Sequence, residues 1–187
     1  MAQDATQIRV ALTGAMFVAP VGTTAPTTTT APWAAGWIDL GFADDGGPPV
    51  EIAPNITSKD IAVWQSLYPG RSIVTARNME WTYKLVQDTG TILKLLAGGG
   101  SITGPVSGDY TFHPPSTGAV DERAFGFEVT DGITINRYVM PRGIVSAVAA
   151  IPFRKDDAVK TNLTIRALAP ASGDVWTRIS NDAAMAS

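Results

Sequence analysis

The sequence predicts a mainly β protein, an antiparallel β-sandwich or barrel with one short flanking helix and long loops. Three observations carry that reading. Apolar residues recur at every second position in segment after segment, the period that places side chains on one face of a pleated strand. Clusters of Gly, Pro, Asn and Asp separate these segments at the spacing of hairpins. One stretch alone has clear helical spacing.

In chain order, Val10, Leu12, Met16 and Val18 share a strand face. Residues 21–32 are almost only Thr, Ala and Pro, a low-complexity arm without core-forming residues that reads as a flexible surface loop. Residues 43–54, rich in Asp, Gly and Pro, open a long loop at about 43–70. Within it Thr57–Gln65 is a candidate helix, because Thr57 and Asp60 have capping-box spacing and Ile61 and Trp64 lie on one side; an extended conformation is the alternative. Met79, Trp81, Tyr83 and Leu85 alternate with Glu80, Thr82 and Lys84, which predicts a half-buried strand.

Ile92, Leu95 and Leu96 mark the helix, with Asp88 or Thr89 to cap its start and Gly98–Gly100 to stop it; it should plug one end of the sandwich. Phe125, Phe127 and Val129 form a strand that turns at Asp131-Gly132 and returns along Ile133–Met140. A turn is expected at Pro141-Arg142-Gly143. Ile144–Phe153 then reads as a strand buried on both faces or at a subunit contact. Leu163 and Ile165 alternate in a further strand, and Val175–Ile179 forms the last. With no internal repeat or boundary signal, residues 1–187 are expected to be one domain.

Charged residues make up 17% of the chain against about 25% in a typical soluble protein, so surface is expected to be hidden against partners. The net charge of −3 disfavours a protein that grips phosphates. The absence of cysteine excludes disulfides, thiolate metal sites and a cysteine nucleophile. Met1–Arg9 has neither a basic leader nor an apolar run, and no stretch approaches the 18 to 20 apolar residues needed to span a bilayer, so no membrane insertion is expected.

No constellation for catalysis emerges. His113 precedes Pro114-Pro115 with no second His or Cys to complete a metal site or nucleophile pair. Gly98-Gly99-Gly100-Ser101 lacks the Gly-Lys-Ser/Thr ending of a phosphate loop, and neither Ser66 nor Ser101 sits in a nucleophile elbow. The pairs Asp44-Asp45, Asp121-Glu122 and Asp156-Asp157 are turn-like and read as solvated. The chain is therefore expected not to be an enzyme and to take no cofactor. Trp33, Trp37, Trp64 and Tyr68 lie outside the strand pattern and read equally as satellite core or as anchors of a protein contact.

Three stretches are specific: Trp37-Ile38-Asp39-Leu40-Gly41-Phe42-Ala43-Asp44-Asp45-Gly46, Ser58-Lys59-Asp60-Ile61-Ala62-Val63-Trp64-Gln65 and Tyr138-Val139-Met140-Pro141-Arg142-Gly143. With the long strand and Leu-rich helix of Met79–Ala97, they resemble the major tail tube proteins of long-tailed, siphovirus-type phages, especially those of actinobacteria. The resemblance covers nearly the whole chain. It implies a tail-tube-type β-sandwich that assembles with itself as hexameric rings, strands from neighbours joining into one inner barrel, and rings stacked into a hollow tail for DNA ejection. It also implies partners: a tape measure protein in the lumen during assembly, tail terminator and tail tip proteins, and phage DNA in transit without specific binding. The place would be the virion tail, reached from the host cytoplasm. Six copies at −3 would carry −18 per ring, and a lumen of that sign would repel phosphates.

Candidate subunit or ring interface residues are Trp37, Asp44, Asp45, Ile61, Trp64 and Tyr68, chosen because the aromatic segment 43–70 lacks strand alternation. The rival expectations are a monomeric carbohydrate- or ligand-binding β-sandwich, and a terminator or capsid-decoration protein, since one fold serves many functions.

Overall fold

The computed structural model describes residues 7–118 and 120–186; of Met1–Arg9, residues 1–6 lie outside the described residues. The elements are β1 (Thr13–Pro20), β2 (Ile38–Asp39), β3 (Val50–Ile61), β4 (Arg71–Leu85), α1 (Gly90–Leu96), β5 (Ser101–Val106), β6 (Asp109–His113), β7 (Arg123–Asp131), β8 (Thr134–Val148), β9 (Thr161–Ala167) and β10 (Thr177–Ser180). Eight strands form one antiparallel sheet in the order β2-β1-β7-β8-β9-β4-β3, with β10 also on β8, while β5 and β6 pair separately. The fold is mainly β and consistent with a β-sandwich, and no barrel closes.

The large sheet folds over on itself. Trp81 of β4 meets Phe127 of β7 edge to face at 5.0 Å, and the Tyr83 hydroxyl donates across the core to the Gly126 carbonyl at 2.9 Å. The bend is made possible by irregular register in β7–β8 near Arg123/Phe125 and in β8–β9 near Val145/Ala147, since bulges increase twist. β8 thus serves both layers, pairing with β7 and β10 along its first half and with β9 along its second. The alternating residues Met16, Val18, Trp81, Tyr83, Leu85, Phe125, Phe127, Leu163 and Ile165 all enter one buried cluster. Thr89 caps α1, its side chain accepting from the Ile92 N–H, and Ile92 and Leu95 drive the helix into that cluster.

Several sequence expectations need correction. Val10 and Leu12 stay exposed ahead of β1, because no strand among the described residues lies over them. Pro141-Arg142-Gly143 is not a turn; β8 runs through it, and the change of sheet partner takes place there instead. Strand beyond it ends at Val148 rather than Phe153, and Ser146–Ala150 are exposed rather than buried on both faces. The long loop at 43–70 is loop only at its two ends: Val50–Ile61 is β3, and the candidate helix at Thr57–Gln65 is strand to Ile61. That strand alternates Val50, Ile52, Pro54 and Ile56 with Glu51, Ala53, Asn55 and Thr57, but its prolines read as loop and both of its faces are exposed beyond Val50.

Residues 21–37 form no strand, yet they are tied down. Trp33 stacks on Phe17 at 4.3 Å and lies so close to Gly126 that any Cβ there would stand 2.6 Å from the indole, which explains glycine at this point of β7. Arg137, buried on β8, donates through Nη1 to the carbonyls of Thr28 and Ala31 and through Nε to Glu128 at 2.6 Å, with its guanidinium over Trp33. Arg137→Ala should therefore cost about 3 kcal/mol, by removing a buried guanidinium that ties Thr28, Ala31 and Glu128 together, and expose residues 21–37 to protease. Urea unfolding and limited proteolysis check this; a loss under about 0.5 kcal/mol would show that the arm holds without the arginine.

The two ends of the chain are joined by a second clasp. Arg9 donates to both carboxylate oxygens of Asp182 at 2.7 Å, and the Ala184 N–H adds a bond at 3.0 Å. Arg9 first, then that N–H, hold the Asp182 pKa down to about 2 from the ordinary 3.8. A carboxylate with a depressed folded value stabilises fully above its unfolded value and loses the contribution as pH falls through the folded one. Melting temperatures between pH 5 and 2 should fall less steeply in Asp182→Asn than in the parent chain; parallel curves would remove the clasp from the acid response.

Candidate assembly surface

β3 and β4 build an arm. From Glu51 to Ile61 and from Arg71 to Asn78 every residue is exposed, and Met79, Trp81, Tyr83 and Leu85 alone carry β4 into the protein. At about 3.3 Å per residue the fully exposed part of β4 spans roughly 25 Å. A two-stranded hairpin in water is marginal without a packed face, so an ordered arm of this length calls for a covering partner.

The arm has two different faces. One continues the core side with Ile52, Pro54, Ile56, Met79 and, past the register shift at Thr57/Ser58, Val74. The other carries Glu51, Ala53, Asn55 and Thr57 on β3, beside Asn78, Glu80, Thr82 and Lys84 on β4. β9 extends this polar face with Asn162, Thr164 and Arg166, and the second half of β8 adds Ile144 and Ala147. Four strands thus share one face on which, among the described residues, no second sheet is layered, exposed along the arm and half-exposed toward β9 and β8.

Both edges of this four-stranded field are open. β3 ends the sheet and pairs only with β4. On the side of β8 away from β9, the β7 ladder stops at Gly143, so among the described residues no strand covers Ile144–Val148. Exposed edges are a liability in an isolated subunit and a bonding surface in an assembly.

The predicted interface residues divide between two surroundings. Ile61, Trp64 and Tyr68 gather at the far end of the arm, Trp64 99% and Tyr68 81% exposed, with Leu67 fully exposed beside them. Ser66 shapes this tip by accepting from the Tyr68 N–H, and the Gly70 N–H closes it on the Ile61 carbonyl. Asp44 and Asp45 sit at the base. Asp44 accepts from the Gly46 N–H and from Lys160, each at 3.1 Å, and these bonds, the backbone one foremost, lower its pKa. Asp45 is exposed. Trp37 is apart from the others: its indole N–H donates to the Thr24 carbonyl at 2.9 Å and its ring meets Trp33 edge to face. The four aromatics outside the strand pattern are thus both things at once, Trp33 and Trp37 satellite core and Trp64 and Tyr68 bare surface.

Sequence reasoning missed the open β8 edge and the polar face. The first depends on where a partner strand stops, which no local pattern encodes. The second was visible in part, as Glu80-Thr82-Lys84 against Met79-Trp81-Tyr83. Among the described residues no group of three or more His, Cys, Asp or Glu could hold a metal ion. His113 instead bonds Thr103 across β5–β6 at 3.1 Å. No helix among the described residues is long and apolar enough to cross a membrane.

A search of curated proteins found no match to the chain. A model of the family described as phage tail tube protein matches residues 1–187, its whole length. Such proteins are structural, non-enzymatic components of the virion tail that assemble into a tube. An arm with a bare tip and two open sheet edges suits a self-assembling subunit, and the chain belongs to the phage tail tube protein family.

Proposed function

We propose that this chain forms the tube of a long, siphovirus-type tail as a single tail tube domain, closing hexameric rings that stack head to tail around the path of the phage DNA. The observation that carries the reading is the four-stranded field with both edges open. Pairing the β3 edge of one copy with the Ile144–Val148 edge of the next is a heterologous contact that closes by rotation, and repetition along the axis makes a tube. With four strands from each of six copies, spaced about 4.8 Å, the barrel would exceed the 16 to 18 strands at which an aqueous channel remains open.

The bare polar face belongs inside such a ring. A closed sheet has more room outside than inside, and the layer of β1, β7 and α1 stands on its other side. Pro54, which has no N–H, withholds one donor from the β3 edge and so limits unregistered pairing. The tip bearing Ile61, Trp64 and Tyr68 makes the contact along the axis, Asp45 borders it from the base, and Asp44 and Trp37 position the segments that flank the arm. A tape measure protein would occupy the lumen during assembly in the host cytoplasm, with terminator and tip proteins at the two ends.

Electron microscopy of the purified chain at high concentration, beside sizing at low concentration, tests the proposal. Hollow tubes or six-membered rings are expected. A chain that stays monomeric at every concentration and is not incorporated when tail tip complexes are added as seeds would overturn it.

A further inference from the structure

We infer that Ile56 of one copy fills a socket beside the open β8 edge of the next, so that a side chain locks the ring contact in addition to strand pairing. The inference rests on the contact between the β3 and β8 edges proposed above. The socket is a hollow of about 310 Å³ at that edge. Leu95, Val120, Ile144 and Val145 give it an apolar side, and Asp121 and Arg166 a polar one. Val145 packs against the core, while Val120 is 63% exposed.

The direction of the contact follows from the number of strands. β8, β9, β4 and β3 pair antiparallel in succession, so the two outer strands of the field run in opposite directions. Rotation within a ring keeps the direction of every strand. β3 of one copy therefore meets β8 of the next antiparallel, and the sheet continues without a break in its pattern.

The register follows from the pleat and from closure. Val145, Ile165, Trp81 and Ile52 stand in one row across the four strands, on the core side. Strands of a closed sheet tilt, and a tilt of roughly 36° goes with a stagger of about one residue per strand. Four strands thus displace the next copy's row by about four residues, an even shift that keeps core-side residues on the core side. In one direction the row of Val145 then meets Ile56. In the other it falls on Pro48, which lies outside β3. Ile56 is 60% exposed in the single subunit, and Ser58 and Asp60, next along the same face, offer no comparable apolar surface.

The chain has no cysteine, so cross-linking reads this register directly. Chains carrying only Val145→Cys are mixed with chains carrying only Ile56→Cys, or only Ile52→Cys or Asp60→Cys, which lie four residues to either side on the same face. The mixtures are assembled and then oxidised or treated with a short thiol-to-thiol reagent. Linked dimers should form through Ile56→Cys, not through the other two, and no single variant assembled alone should link to itself. Linking mainly through Ile52→Cys or Asp60→Cys, or none in mixtures that form tubes, would overturn the inference. Ile56→Ala should melt like the parent and raise the concentration at which tubes appear about tenfold or more, because an aliphatic side chain is lost from every contact. An unchanged concentration would overturn it as well.

If the parent chain forms neither rings nor tubes, that result counts against the proposed function, and the contact is read from pairs of copies in concentrated solution. The same mixtures must then still link through Ile56→Cys above the other two. Equal or absent linking there would overturn the inference independently of the tube.

Discussion

Trp64→Ala is expected to yield a chain that folds and melts like the parent and no longer forms tubes. The indole is 99% exposed, so its removal takes no contact from the folded subunit, and surface changes of this kind stay within about 0.5 kcal/mol. In the assembly the same side chain is the largest group on the arm's tip. A buried interface tryptophan contributes about 2 kcal/mol or more, roughly thirtyfold in affinity per contact, and the loss recurs in every copy. The concentration at which tubes appear, followed by light scattering and microscopy, should rise at least thirtyfold. Normal assembly with an unchanged melting curve would move the axial contact away from this tip.

The second large effect lies at the root of the arm. Trp81 is fully buried, meets Phe127 edge to face, and is the first fully buried residue on β4 after the exposed run. Trp81→Ala should cost about 3–5 kcal/mol, a large share of the roughly 5–15 kcal/mol that holds a domain together. Its indole N–H has no partner among the described residues, so Trp81→Phe forfeits volume without breaking a hydrogen bond seen there and should cost only about 1–2 kcal/mol. Tyr83→Phe removes the bond to the Gly126 carbonyl and should fall in the same range. Urea midpoints of the three variants give the order. A phenylalanine variant as damaged as the alanine variant would mean that the indole nitrogen is satisfied by a water or another group after all.

The two substitutions separate folding from assembly by position on one strand pair. Trp81 lies where β4 is roofed by β7, and Trp64 where none of the described residues covers it. Between them the arm keeps its shape through the β3–β4 ladder and few other contacts, Lys84 with Glu51 at the base and the Thr75 hydroxyl donating to the Thr57 carbonyl at 3.2 Å further out. Ordering of the arm is accordingly expected to increase on assembly, when the face of Ile52, Ile56 and Val74 is covered.

Local pattern was enough wherever a strand had one buried face. Met79–Leu85, Phe125–Val129 and Leu163–Ile165 are legible because burial on one side and water on the other impose a period of two. The helix was legible from its apolar spacing, its cap and its glycines, as was the Asp131-Gly132 hairpin. Tertiary structure alone decided the rest. β3 alternates from Val50 to Thr57, but its prolines and the Asp-Gly-Gly-Pro-Pro run before it read as loop, and both of its faces are exposed beyond Val50, so burial within the subunit does not mark it. The passage of β8 through Pro141-Arg142-Gly143 depends on β7 ending and β9 beginning there. Whether a tryptophan is core or surface depends on what the fold lays over it: Gly126 and Arg137 receive Trp33, and none of the described residues receives Trp64. Alternation records contacts within a subunit, whereas open edges and uncovered tips are set by where the neighbouring strands stop.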